Sequence, residues 1–289
     1  MSTDETRQFD KDGYLVVRGI ISAEQVRPLR QFMLAKFNLP PDPQVHGDTD
    51  STRVEVFTRY PELRSLLFNE RIVGMLRVLA GDDFVLLPES FAALNNFVNW
   101  HKDTTAWERQ GGHTIHWEED YRMIGFLYYL QDNTEEYGGG LEVEPGSHLT
   151  PDPFIAREAE GSQRPLRKKI GSKMKALWYK ATGRKPNTAF RPANAVSVPS
   201  KAGDLVVCHF RLNHRASQPQ KFPLPREQEK ICITGAISSN NRRFIQDRLD
   251  YYHSRCGCFY PRGLSYPADF VQEAEAHGVR FCTDDKGRV

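Results

Sequence analysis

From Phe84 onward the chain is a succession of short runs rich in β-branched and aromatic residues. These are Phe84–Leu87, Phe91–Val98, Met123–Leu130, Leu141–Glu144, Ala195–Val198, Leu205–Phe210 and Ile231–Ile237. Gly, Pro, Asn or Asp separates most of them, the punctuation of strands joined by turns. So many short strands can bury their apolar faces only against one another, in a closed or sandwich-like β core with helices packed outside. With 289 residues, 39% of them apolar, the chain is long enough to fill such a core. The expected layout is one domain over 1–289, with a helical part at about 1–80 and a β core at about 83–240. An insertion falls at about 157–185 and a C-terminal extension at about 241–289.

The first 80 residues read differently. Phe9–Gly13 is expected as a turn and Tyr14–Val17 as a short strand. Ser22 with Gln25 three residues on has the spacing of a capping box, opening a helix through about Phe37, with Pro28 inside it. Residues 45–60 are expected as loop, followed by helices over Pro61–Phe68 and Arg71–Leu79, the latter closed by Gly81. Near the C-terminus a helix is expected from Pro267 to His277.

Composition narrows the function classes. Five cysteines, Cys208, Cys232, Cys256, Cys258 and Cys282, form neither a disulfide framework nor a four-cysteine zinc pattern. Cys256 and Cys258 are read as plain thiols. A reducing, cytoplasmic setting is expected, since the polar N-terminus lacks a signal-peptide core and no run of about 18 apolar residues exists. The net charge of +2 gives no ground to expect a nucleic-acid partner.

Chemistry enters at His101-Lys102-Asp103, an H-x-D triplet after the apolar run Phe91–Trp100. In extended chain, residues i and i+2 point to the same side, so one imidazole and one carboxylate can reach a single ion. A second histidine would complete a set of two imidazoles and one carboxylate, the facial triad of non-haem iron(II) oxygenases. His214 and His209 both follow the Leu205–Phe210 strand. The position of His214 at the strand exit favours it over His209.

Four blocks together resemble the phytanoyl-CoA dioxygenase family of iron(II)/2-oxoglutarate oxygenases. They are Phe9–Gly19 (FDKDGYLVVRG), Trp100–Asp103, Gly138–His148 (GGGLEVEPGSH) and Gly203–His214, which opens Gly-Asp-Leu. The resemblance implies a mostly β fold with flanking helices around a double-stranded β-helix of jelly-roll or cupin type. It implies iron(II) on His101, Asp103 and His214, 2-oxoglutarate as co-substrate, O2, and ascorbate as a reductant. In the family an arginine about a dozen residues after the second histidine grips the co-substrate. Arg226 has that spacing, with Lys230 and Arg215 as alternatives. Asn99 and Tyr129 are further candidates for co-substrate contact, each with a structural reading beside it. His148, in the Pro-Gly-Ser-His loop, is expected to bond backbone rather than metal. Trp107, His113 and His116 belong to a loop expected over the site, read either as an ordinary loop or as substrate contacts. Asp103 implies hydroxylation, because the family's halogenases replace that carboxylate with a small residue. The alternative from another class is a non-catalytic β-helix protein that binds a metal or ligand.

Residues 157–185 contain ten Lys/Arg and two Glu. Leu166, Ile170, Met174, Leu177 and Trp178 fall on one face of a helix, with basic residues on the others. This pattern suits packing on the core, or peripheral contact of 166–180 with an anionic membrane. The expected substrate is accordingly a small molecule or a lipid-linked, anionic one such as the Kdo sugar of lipopolysaccharide.

Overall fold

A computed structural model describes residues 1–104, 117–150, 191–221, 223–254 and 266–282. The insertion at 157–185 and the Cys256–Cys258 pair lie outside the described residues.

The chain opens with helix α1, Thr3–Asp12, where sequence reading expects a turn at its end. Ser2 and Glu5 form a capping box, and Gly13 closes the helix in the left-handed region. Phe9–Asp12 is therefore the last helical turn. Strand β1 (Tyr14–Val17) and helix α2 (Ala23–Phe37, capped by Ser22 and Gln25) follow as expected. The 45–60 stretch is not plain loop, because it holds β2 (Thr52–Val54) and the one-turn helix α3 (Val56–Arg59). Pro61–Leu66 is a 3-10 turn, and α4 (Glu70–Ala80) ends at Gly81.

The two apolar runs on either side of Pro88 are one strand, β3 (Val85–Leu94). It pairs with β9 (Ile231–Ser238) through a register shift between Leu86 and Ser90, and the proline sits in that irregular stretch. Strands β4 (Met123–Tyr129), β5 (Leu141–Val143), β6 (Val196–Val198) and β7 (Leu205–His209) lie where the sequence places them. Besides β2, two strands were not legible, β8 (His214–Ala216) and β10 (Arg280–Phe281). Helix α5 (Arg242–Ser254) was also missed, and α6 (Ala268–Ala276) matches expectation.

The strands form two sheets. The larger runs β1-β7-β4-β9-β3-β10 with β2 added to β3, and the smaller runs β6-β5-β8. Alternation sorts each central strand of the larger sheet into two faces. Ile124, Phe126 and Tyr128 of β4 and Ile231, Ile233 and Ile237 of β9 join the apolar cluster beneath the N-terminal helices. The opposite face looks toward the smaller sheet across a cavity.

Two of the four sequence blocks hold the N-terminal segment against this frame. Asp204, of the Gly-Asp-Leu turn, accepts from the backbone N–H groups of Gly19 and Lys201 and from Arg18. Beside it, β1 pairs with β7 from Val17 opposite Leu205 to Tyr14 opposite Cys208.

Candidate functional site

His101, Asp103 and His214 converge. Each offers one ligand atom, and these atoms lie within 4.8 Å of one another. The backbone produces this convergence, since His101 and His214 face each other in an antiparallel bridge with two N–H···O bonds of 2.9 Å. Two residues on, the Asp103 N–H bonds the Phe210 carbonyl. The imidazole rings stand 4.4 Å apart between centroids.

Hydrogen bonding fixes how the two imidazoles present themselves. His101 Nδ1 lies 2.7 Å from the Asn99 carbonyl, and His214 Nδ1 lies 3.0 Å from the Leu212 carbonyl. A carbonyl only accepts, so both Nδ1 atoms carry the proton and each Nε2 keeps its lone pair, the arrangement of metal-bound histidines. Burial and the nearby His101 push His214 toward the neutral form that a ligand needs. Burial alone would raise the Asp103 pKa. The facing imidazoles of His101 and His214 and the charge of Arg248 outweigh it and hold the carboxyl at about 2. The donor set, two neutral imidazoles and one ionised carboxylate on one side of an open cavity, fits a divalent iron with positions left for other ligands.

The rival histidine is structural. His209 is buried, donates from Nε2 to the Tyr121 carbonyl and accepts at Nδ1 from the Arg211 N–H. Both nitrogens are committed, which leaves no lone pair for a metal. His148 bonds backbone as expected, donating from Nε2 to the Asp10 carbonyl.

The Pro-Gly-Ser-His loop ties the ligands together from below. Lys102, the middle residue of the H-x-D, is 2% exposed and sends its ammonium to the carbonyls of Ser147 and Thr150, both at 2.6 Å. Ser147 Oγ accepts from the N–H of Asn213, next to His214. One short loop thus anchors the neighbours of His101, Asp103 and His214 alike.

A pocket of about 760 Å³, part of it open to solvent, lies beside the triad. Its wall follows from strand parity: Lys230, Cys232, Thr234 and Ala236 face in from the β9 side, and Gly125, Leu127 and Tyr129 from β4. Tyr129 is therefore where the sequence reading wants it, buried and lining the cavity. Lys230 is 5% exposed, with its ammonium over the rings of Phe97 (5.4 Å) and Tyr129 (5.6 Å). No carboxylate among the described residues pairs with it. Burial pushes its pKa down to about 8.

Arg226 does not share this placement. It is exposed on the 3-10 turn Arg226–Gln228 and lines no part of the cavity. Spacing from His214 pointed to Arg226, whereas the inward parity of β9 puts Lys230, and not Arg226, on the cavity wall. Asn99 is likewise exposed and off the cavity wall, and it serves through its carbonyl, which orients His101. Arg215 is bound to Glu142 at 2.8 Å in the smaller sheet. Trp107, His113 and His116 lie outside the described residues. Sequence reading missed Lys102, Glu89 and Arg248. Parity on β9 was the one signal that could have ranked Lys230 above Arg226.

The Gly-Gly-Leu block explains why the lysine fits. Gly138 and Gly139 have φ of +65° and +97°, which L side chains rarely adopt. A Cβ at Gly138 would lie 2.6 Å from the Ser217 carbonyl oxygen. One at Gly139 would lie 2.8 Å from Asn133 and 3.3 Å from the Lys230 stem. The bare backbone leaves room for the lysine to run under the loop into the cavity.

The profile of the phytanoyl-CoA dioxygenase (PhyH) family matches residues 9–220, which takes in the triad and all four blocks. The chain belongs to the phytanoyl-CoA dioxygenase family. Similar curated relatives are the ectoine dioxygenases of Sphingopyxis alaskensis and Stutzerimonas stutzeri. The first is 28% identical over 164 residues, covering 52% of this chain and 51% of the relative. The second is 25% identical over 162 residues, covering 51% of each. The chain thus matches about half the length of these relatives. Among solved structures, EctD from S. alaskensis with 2-oxoglutarate and 5-hydroxyectoine superposes with a TM-score of 0.57 at 19% identity, over 83% of this chain and 76% of that one. HygX from Streptomyces hygroscopicus with nickel and 2-oxoglutarate gives 0.56 at 15% identity, over 83% and 88%. These likenesses place the two sheets in the double-stranded β-helix fold of the family.

Proposed function

We propose that this phytanoyl-CoA dioxygenase family member is an iron(II)- and 2-oxoglutarate-dependent dioxygenase that hydroxylates a small molecule, with release of succinate and CO2. The observation that carries the reading is one cavity that holds three converging ligand atoms and, toward one end, a buried lysine with no carboxylate partner among the described residues. His101, Asp103 and His214 would hold the iron. Lys230, beside Tyr129, would receive the distal carboxylate of 2-oxoglutarate, an anion that supplies a charge partner that no described residue provides. Bound there, iron and keto acid supply the oxidising power that takes oxygen from O2 to a C–H bond. The protein's own part is to fix the ligand tautomers through the Asn99 and Leu212 carbonyls and to keep water from the site with an apolar wall. Asp103 fills the carboxylate position, which favours hydroxylation over halogenation.

Ectoine, the compound in the names of the curated relatives, is the first substrate to test. A lipid-linked anionic substrate is the second reading, and it rests on the basic amphipathic sequence of 166–180. No helix among the described residues is long and apolar enough to cross a membrane. Binding of the whole protein to anionic vesicles at moderate salt would support the second reading, and no binding would remove it.

The main reading is tested by adding iron(II) and 2-oxoglutarate without oxygen. A weak visible charge-transfer band is expected, and His214→Ala should abolish it. No band in the metal-loaded protein, or a band indifferent to that substitution, would overturn the reading in favour of a non-catalytic binding protein. Succinate release, assayed with ascorbate present, then ranks candidate substrates.

A further inference from the structure

A second carboxylate, Glu89, lines the same cavity at the end away from Lys230. It lies in the irregular stretch of β3, two residues before Phe91, which pairs with Thr234. Lys230 lies at the opposite end of that strand pair, where its N–H and carbonyl both bond Asn95. From residue 230 to residue 236 the strand runs roughly 20 Å at about 3.3 Å per residue. Segment 95–103 travels the same way, with Asn95 and Phe97 beside Lys230 and Asp103 beside Arg248. The triad therefore stands between the lysine and Glu89.

Glu89 is held from one side only. Arg248 Nη2 donates to Oε2 at 2.7 Å, and the Tyr252 hydroxyl donates to the same oxygen at 2.9 Å. Arg248 also donates to Tyr252 from Nε and to the Asp103 carbonyl from Nη1. Its guanidinium packs between the rings of Phe210, Tyr251 and Tyr252, all within 4.8 Å of centroid. Both donors come from α5 and converge on Oε2, and Oε1 has no donor among the described residues. A carboxylate gripped at one oxygen and bare at the other, on a cavity wall, is an oriented hydrogen-bond acceptor. Because Arg248 neutralises the pair as a whole, it offers direction rather than net charge.

We propose that Glu89 is a specificity-determining residue, with Oε1 accepting a hydrogen bond from a hydroxyl or N–H group of the substrate. Arg248 and Tyr252 are positioning residues. This assignment rests on the dioxygenase reading, since that reading gives the Lys230 end to the keto acid and leaves the Glu89 end to the substrate. The substrate class that fits is a small polar molecule, uncharged or zwitterionic, presenting a donor next to the carbon to be oxidised. A site built to pair with a substrate donor rejects analogues that lack it, because its own polar group is then left unsatisfied.

The test uses full-length protein loaded with zinc(II), as a redox-inert stand-in, and 2-oxoglutarate. Binding is read by ligand-observed NMR against polyols, amino acids and cyclic amidines, each paired with its O- or N-methylated counterpart. Wild type should prefer at least one donor over its methylated partner by about 100-fold. Glu89→Gln and Glu89→Ala should bring that preference to within a few-fold, and Tyr252→Phe should weaken it less. The anaerobic iron(II)/2-oxoglutarate band should persist in all three variants. A wild type that binds no member, or binds both of every pair equally, overturns the proposal, as does a Glu89 variant that loses thermal stability but keeps its selectivity. Absence of the band from wild type would instead sink the dioxygenase reading, so the two failures are distinguishable.

Discussion

Two pairs of histidines touch inside this protein, and they do opposite things. His101 and His214 stand 4.4 Å apart between ring centroids, His148 and His209 5.5 Å apart. In the first pair each Nδ1 proton goes to a local carbonyl, and both rings bring a ligand atom within 4.8 Å of the Asp103 carboxylate. In the second pair it is Nε2 that is spent on backbone, at Asp10 and Tyr121. Residue type and proximity do not separate a ligand from a strut; which nitrogen the main chain consumes does. Two buried lysines repeat the lesson. Lys102 reaches two carbonyls, whereas Lys230, among the described residues, reaches aromatic faces and open cavity.

The sharpest way to break the histidine comparison is to remove one member of each pair. His214→Ala should abolish the anaerobic charge-transfer band and reduce succinate release at least about 1,000-fold, since two ligands rarely retain iron at a catalytic site. His209→Phe should keep the band while costing about 2–4 kcal/mol in denaturant unfolding, because the Tyr121 carbonyl and Arg211 N–H lose their partner. Equal loss of the band in both variants would erase the distinction.

The lysines come next in size. Lys230→Met should weaken 2-oxoglutarate binding about 100-fold by calorimetry and, without co-substrate, stabilise the protein by about 2–3 kcal/mol. The sign follows from linkage: the folded-state pKa of about 8 lies below the ordinary lysine value of 10.5. Burying the ammonium therefore costs stability below pH 8, and that cost is relieved as pH rises from 8 toward 10.5. Lys102→Met should do the reverse, leaving two carbonyls without their donor and lowering stability by about 2–4 kcal/mol. With a charged Lys230 as the proposed anchor of the co-substrate, affinity for 2-oxoglutarate should hold below about pH 8. Above it, affinity should fall by up to about tenfold per unit, and Lys230→Met should lack that slope. The smallest effect expected is that of Arg226→Ala, within about twofold on 2-oxoglutarate affinity, since the side chain is exposed and off the cavity.

Much of this was legible in the sequence, and the reasons are local. Strand periods and caps gave β4, β7, β9 and α2, because alternation, a Gly-Asp turn and a Ser-x-x-Gln box act over a few residues. The triad was legible because His-x-Asp at a strand end puts two groups on one side. What was not legible depends on pairing at a distance. Strand β8 is three residues long and exists because β5 and the His101 backbone bond it. Strand β3 continues past Pro88 because β9 holds both halves. Glu89 looks misplaced in an apolar run until α5 brings Arg248 and Tyr252 to it from more than 150 residues away. Counting residues from His214 favoured Arg226, and the facing of β9 reverses that order.

The doubled backbone bond between His101 and His214 has a kinetic consequence. Two ligands bolted to each other through the main chain cannot be released one at a time by fraying of either segment. Escape of a bound ion then needs one concerted opening of both strands. Its release rate and the hydrogen exchange of those two amides should therefore share one rate law, slowing together when the ladder is reinforced and quickening together when it is cut.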